Sequence, residues 1–133
     1  MTAAPLYVGH APADAVGGSG WFLGQFVPPE AGLRHQTDVE LKWGIHAAGE
    51  RRPGGRVVYG VATTVSILLR GTFRLVFHDA GGPRDVLLRE PGDYVVFGPG
   101  LAHDWEAVTD CVVLSVRFPS VDARIGASPP PGG

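Results

Sequence analysis

The stretch Glu90–Ala107, EPGDYVVFGPGLAHDWEA, carries the reading of the fold. Glu90-Pro91-Gly92-Asp93 makes a turn, because proline presets φ, glycine accepts a positive φ, and the Asp93 side chain can hydrogen-bond back onto the turn. The turn feeds a strand over Tyr94–Phe97 (YVVF). After the Gly98-Pro99-Gly100 break, a further short strand is expected over Ala102–Ala107.

The same punctuation runs outward in both directions. With 20 glycines and 12 prolines in 133 residues, short β-rich runs are separated by breakers. Strands are expected over Trp21–Val27, Asp38–His46, Thr63–Arg70, Phe73–His78, Asp85–Arg89 and Cys111–Phe118, with Arg56–Gly60 readable as strand or loop. Arg70-Gly71-Thr72 is a tight turn and Asp79–Arg84 (DAGGPR) a longer hairpin loop, which makes an antiparallel meander. No segment of helical length shows the i, i+3, i+4 pattern with caps, whereas period-2 alternation recurs. The class is all-β, an antiparallel sandwich or barrel.

Length and composition bound the rest. The chain is 44% hydrophobic and 18% charged, which suits one packed domain. Residues 20–119 are read as that domain, residues 1–19 as a flexible N-terminal tail and residues 120–133 as a flexible Pro/Gly-rich C-terminal tail. Eleven basic and 13 acidic residues leave a net charge of −2 with no basic cluster, so nucleic acid is not an expected partner. Cys111 is the single cysteine, in keeping with a reducing compartment. The N-terminal residues lack the pattern of a secretory signal, and no run reaches the roughly 18 apolar residues of a membrane span. A cytoplasmic location without a membrane partner is expected.

The stretch 90–107 resembles the second motif of the cupin superfamily, G-x5-P-x-G-x2-H-x3-N. Gly92, Gly100 and His103 fall on the two glycines and the histidine, Gly98 stands at the proline position with Pro99 one place later, and Ala107 stands at the asparagine. The first motif, G-x5-H-x-H-x(3,4)-E-x6-G, is matched by Gly71 at its end. Its ligand positions carry Thr64 for the glutamate and Val57 with Tyr59, or Val58 with Gly60, for the histidines. Segments such as KWGIHAAGE, ATTVSILLRG, PGDYV and HDWEA are similar to those of short bacterial single-domain cupins. The resemblance implies a cupin-type double-stranded β-helix, a jelly-roll barrel, over about Val39–Phe118. It also implies a barrel site at His103, a divalent transition metal as the family's usual cofactor, and a homodimer as a way to cover sheet edges. Cupins include dioxygenases, isomerases, cyclases, lyases and plain binders, so fold alone does not select an activity.

Chemistry-bearing residues follow from strand parity. In DVELKWGIH, Glu40, Lys42 and His46 share one face and Leu41, Trp43 and Ile45 the other. Parity does not say which face is inside. If the polar face lines the barrel, His46 and His103 form a candidate acid/base pair, with Glu40 and Lys42 orienting and Trp105 and Tyr94 as an apolar wall. Thr64 and Ser66 put hydroxyls on one face, and Arg117 is a candidate carboxylate contact. A metal would have His46 and His103 as ligands, and a third ligand would have to be Glu40, Glu50 or Tyr59, none at the motif's spacing. Since metal sites normally take three or more protein ligands, less than one equivalent of metal is expected.

The leading expectation is therefore a small-molecule-binding cupin, a metal-independent isomerase, cyclase or lyase working by acid/base chemistry in the barrel. A metal-dependent enzyme using His46, His103 and a carboxylate is the second reading, and a non-catalytic ligand-binding or sensor module the third.

Overall fold

Alternating strands need a second apolar surface to cover their inner faces, and two antiparallel sheets provide it here. A computed structural model describes residues 5–121. Of the C-terminal tail read at 120–133, residues 122–133 lie outside them. Its elements are a one-turn helix α1 (Ala11–Asp14), then β1 (Trp21–Leu23), a kinked 3₁₀ segment (Pro29–Arg34), β2 (Glu40–His46), β3 (Thr63–Arg70), β4 (Phe73–Asp79), β5 (Gly82–Leu88), β6 (Tyr94–Phe97), β7 (Ala102–Ala107) and β8 (Cys111–Phe118). One sheet runs β1-β2-β8-β3-β6 and the other β5-β4-β7, and every pairing between these strands is antiparallel.

Leu68 and Val113 of the larger sheet meet Phe73, Leu75, Phe77, Leu88 and Ala107 of the smaller one in a single apolar cluster. The inner face of the larger sheet is graded. One row across it carries Glu40, Arg117, Thr64 and Phe97, the next Lys42, Ser115, Ser66 and Val95, and the next Gly44, Val113 and Leu68. Charged and hydroxyl side chains therefore dominate the first two rows and aliphatic ones the third, with His46 opposite Cys111 beyond it.

Several boundaries move from the sequence expectation for visible reasons. The run Trp21–Val27 contributes only Trp21–Leu23, because the Gly24 amide donates to the Arg34 carbonyl and the Gln25 amide to Ser120 Oγ, away from the ladder. β5 begins at Gly82 instead of Asp85. Asp79 pairs with Gly82, Asp79 Oδ1 accepts from the Gly81 amide at 2.9 Å, and Pro83 is tolerated because β5 is an edge strand. Residues 49–57 run along the free edge of β7. Gly49 and Arg52 amides donate to the Ala107 and Trp105 carbonyls, Glu50 O accepts from Ala107, and Val57 exchanges two backbone bonds with His103.

Residues 11–19 of the segment read as an N-terminal tail pack beside β1. Val16 pairs with Trp21, and Arg34 Nη2 donates to Asp14 O at 2.8 Å. Ser120, placed in the C-terminal tail, is buried.

Two turns set the meander. Gly71 has φ 89° and Gly92 φ 97°, and Asp93 Oδ2 accepts from the Arg89 and Glu90 amides at 3.0 Å. Both glycines occupy the positive-φ region, but their surroundings differ. A Cβ on Gly71 would run into the Asp110 carbonyl oxygen and Cys111, whereas one on Gly92 would meet nothing. Gly92→Ala is expected to cost about 1 kcal/mol in urea unfolding, and Gly71→Ala at least about 3 kcal/mol, because backbone must also move.

Candidate functional site

β2 turns its polar face inward. Glu40 is 3% exposed while Ile45, on the opposite face, is 60% exposed. Charged groups inside a barrel need partners, and Glu40 has them. Arg117 donates from Nε and Nη2 to Glu40 Oε2 at 2.8 and 2.7 Å, and Ser120 Oγ donates to Oε1 at 2.8 Å. The Arg117 guanidinium lies 4.3 Å from the Trp21 ring centroid and 4.2 Å from that of Tyr59. The pair is thus fully occupied, and neither residue lines the cavity. This corrects their assignment as ligand contacts.

That cavity, of about 470 Å³, lies between the sheets above the pair. The larger sheet presents Lys42, His46, Thr64, Ser66 and Ser115, and the smaller presents Phe73, Leu75, His103 and Trp105. Arg52 and Tyr59 come from the 49–59 segment, and Pro12, Ala15 and Gly18–Gly20 come from the N-terminal segment. Tyr94 is not there. It is 64% exposed, because β6 turns Val95 and Phe97 inward and so sends Tyr94 outward. The apolar wall read from it belongs to Trp105 and Phe73.

His46 and His103 both line this cavity but sit in different surroundings. His46 is stacked on Phe73 at 5.7 Å and tilted against Trp105 at 4.4 Å. Its Nδ1–H donates to Glu50 Oε1 at 2.6 Å, which leaves Nε2 as the bare, basic nitrogen. Gly44 keeps room for that edge of the ring, since a Cβ there would stand 2.7 Å from Nε2. Burial lowers the His46 pKa below its ordinary value, with Glu50 acting against the shift. His103 is enclosed by Phe97, Tyr59 and Phe77, and its Nδ1–H donates to the Leu101 carbonyl at 3.0 Å. Burial pushes it down to about 4, with Arg52 and Arg117 adding to the shift. His103 is a neutral imidazole at ordinary pH and a weak base.

Sequence reasoning considered Glu50 and Tyr59 only as third metal ligands and did not single out Arg52, Ser115 or Trp21. For Ser115 the signal was present, since it alternates with Arg117 on β8. For Glu50 and Arg52 there was none, because ERRPGGR has no alternation that would put it against a sheet.

The usual cupin metal does not fit these residues. Among the described residues no three His, Cys, Asp or Glu side chains converge as a metal-binding group. The first-motif positions carry Val57, Tyr59 and Thr64, so the motif supplies His103 with no partner ligands, and His46 with His103 falls short of the three protein ligands a metal site normally takes. Cys111 is buried and free, with its thiol pushed up to about 11 by burial, which suits packing and not nucleophilic attack. No helix among the described residues is long and apolar enough to cross a membrane.

No protein-family model matches the sequence, and no curated protein is similar to it by sequence. Solved structures are similar in fold. Oxalate decarboxylase from Bacillus subtilis superposes with a TM-score of 0.59 at 18% identity over 71% of this chain and 24% of that one. KdgF from Halomonas sp. gives 0.54 at 19% identity over 66% and 74%. A cupin superfamily protein from Desulfitobacterium hafniense gives 0.52 at 18% over 61% and 67%. This chain spans about a quarter of the oxalate decarboxylase. At such identities the likeness concerns the fold, and the fold is the cupin-type double-stranded β-helix.

The buried histidine makes stability pH-dependent. The unfolded chain protonates His103 near 6.5 and the folded chain only near 4, so between those values the unfolded state binds more protons. Stability is complete above pH 6.5 and falls as pH drops toward 4, by about 3 kcal/mol from this group, with His46 adding in the same sense. Urea unfolding across this range is expected to show the slope in the native protein and a flatter one in His103→Gln. Arg117→Met, which strands Glu40 as an unpaired buried carboxylate, is expected to cost about 3–5 kcal/mol, and adding Glu40→Gln to recover much of it.

Proposed function

We propose that this cupin-type barrel binds a small organic molecule in its cavity and moves a proton on it, with His46 as general base and no metal required. The observation that carries the reading is the His46–Glu50 dyad, 2.6 Å apart, on the wall of the cavity. A carboxylate on Nδ1 holds one tautomer, steadies the ring and stabilises the imidazolium that forms when Nε2 takes a proton. Isomerisation, cyclisation and elimination next to a carbonyl all begin with such a step. The aromatic wall of Phe73 and Trp105 excludes water on one side of the reacting molecule, and Gly44 leaves Nε2 reachable.

Roles then differ between the two histidines. His46 exchanges the proton. His103, neutral and held by the Leu101 carbonyl, shapes the far end of the cavity and accepts a hydrogen bond at most. Both are cavity residues in this reading, but only one is catalytic.

The test is solvent deuterium incorporation. Molecules from a panel of small ketones and 2-oxo acids that raise the melting temperature are incubated with the protein in D2O, and loss of the proton next to the carbonyl is followed by NMR. Exchange well above the protein-free rate is expected for at least one binder. It should fall by about 100-fold or more in His46→Gln and by a smaller factor in Glu50→Gln. Binding without exchange for every panel member would make the chain a binding module instead.

A further inference from the structure

We propose that the molecule held in this cavity is an organic carboxylate, its carboxylate group taken by the ammonium of Lys42 with the hydroxyls of Ser66 and Ser115, and with Arg52 as a second positive charge beside it. This deepens the proposed function, on which it rests, by naming the chemical class that the same cavity accepts.

The geometry begins with the register. Lys42 of β2 is directly opposite Ser115 of β8, which is directly opposite Ser66 of β3. One ammonium and two hydroxyls therefore form a row across three neighbouring strands, and all three line the cavity. That is a donor set on a rigid sheet, suited to a planar two-oxygen acceptor.

Lys42 has no carboxylate of its own. Among the described residues it makes no ion pair and no hydrogen bond, and its Nζ lies 5.7 Å from the Trp21 ring centroid and 5.9 Å from that of Trp105. The two acidic side chains of this region are already engaged, Glu40 by Arg117 and Ser120 and Glu50 by His46. Arg52 is in the same position. It is 7% exposed, its Nη1 donates to the Pro53 and Gly55 carbonyls, and its Nη2 is buried with no partner.

A cation drawn partly out of water without a carboxylate in direct contact is costly. Burial first, then the positive charges of Arg117 and Arg52, push Lys42 down to about 8 against the opposing charge of the Glu50 carboxylate, so it remains largely charged at neutral pH. An anionic ligand offsets that penalty. The facing wall of Phe73 and Trp105 asks for an apolar, flat body attached to the anion, which distinguishes an organic acid from an inorganic ion.

Calorimetric titration of the full chain with benzoate, benzamide and phenyl phosphate tests the assignment. Benzoate is expected to bind saturably and at least about tenfold tighter than benzamide. Lys42→Met should lose about tenfold or more of the benzoate affinity and leave benzamide unchanged, and Arg52→Gln should lose less. Folding does not confound Lys42→Met, which removes a half-buried charge that contacts no carboxylate and is expected to be at least as stable as the native protein. Equal binding of the amide, tighter binding of the phosphate ester, full benzoate affinity in Lys42→Met, or no saturable benzoate binding would each overturn the proposal. His46→Gln is expected to keep benzoate affinity. Loss of deuterium exchange with carboxylate preference intact therefore unseats the acid/base reading alone, and exchange on neutral binders without carboxylate preference unseats this inference alone.

Discussion

The buried pair of Glu40 and Arg117 is the constraint on which the interior depends. A strand carrying Glu, Lys and His on one face would ordinarily turn that face to water. β2 does the opposite, and it can because β8 places a guanidinium opposite the carboxylate, with Ser120 taking the second oxygen. The Gln25 amide in turn donates to Ser120 Oγ, so the network also ties the segment after β1 to the end of β8. Every strong polar group in it has a partner, which is the condition under which a buried charge pair is tolerable.

Settling Glu40 in this way leaves a surplus further up the same face. Lys42 and Arg52 face a cavity in which both nearby carboxylates are engaged, and the opposite sheet offers Phe73, Leu75 and Trp105 with the neutral imidazole of His103. The asymmetry of the two walls is what makes the cavity chemically directional: donors and positive charge on one side, π-faces and exclusion of water on the other. The 49–59 segment completes it by following the edge of β7, which brings Glu50 to His46 and Arg52 to the cavity wall in one stretch of chain.

The histidines illustrate how surroundings assign roles to like side chains. His46 has a carboxylate on Nδ1 and open space at Nε2, the combination a proton-transferring imidazole needs. His103 has a carbonyl on Nδ1 and rings around it, and burial keeps it neutral. In a cupin barrel the second-motif histidine would be the obvious choice for chemistry. Here the donor set around it does not fit a metal, and the imidazole with a carboxylate partner stands on the opposite sheet.

The sequence by itself determined what is local. Turn chemistry at Gly71 and Gly92 placed the meander, period-2 alternation identified most strands, and parity put Glu40, Lys42 and His46 on one face and His103 with Trp105 on another. Sidedness was not local. Whether the β2 face points in depends on Arg117, 77 residues away in the chain, and whether Tyr94 points in depends on which face of β6 covers the core. The contribution of residues 49–59 was invisible because an edge-following segment needs only backbone bonds to its neighbour and carries no hydrophobic period. Tertiary pairing therefore decided which polar residues were paired off and which were left facing the cavity, because that depends on what the neighbouring strand brings opposite each one.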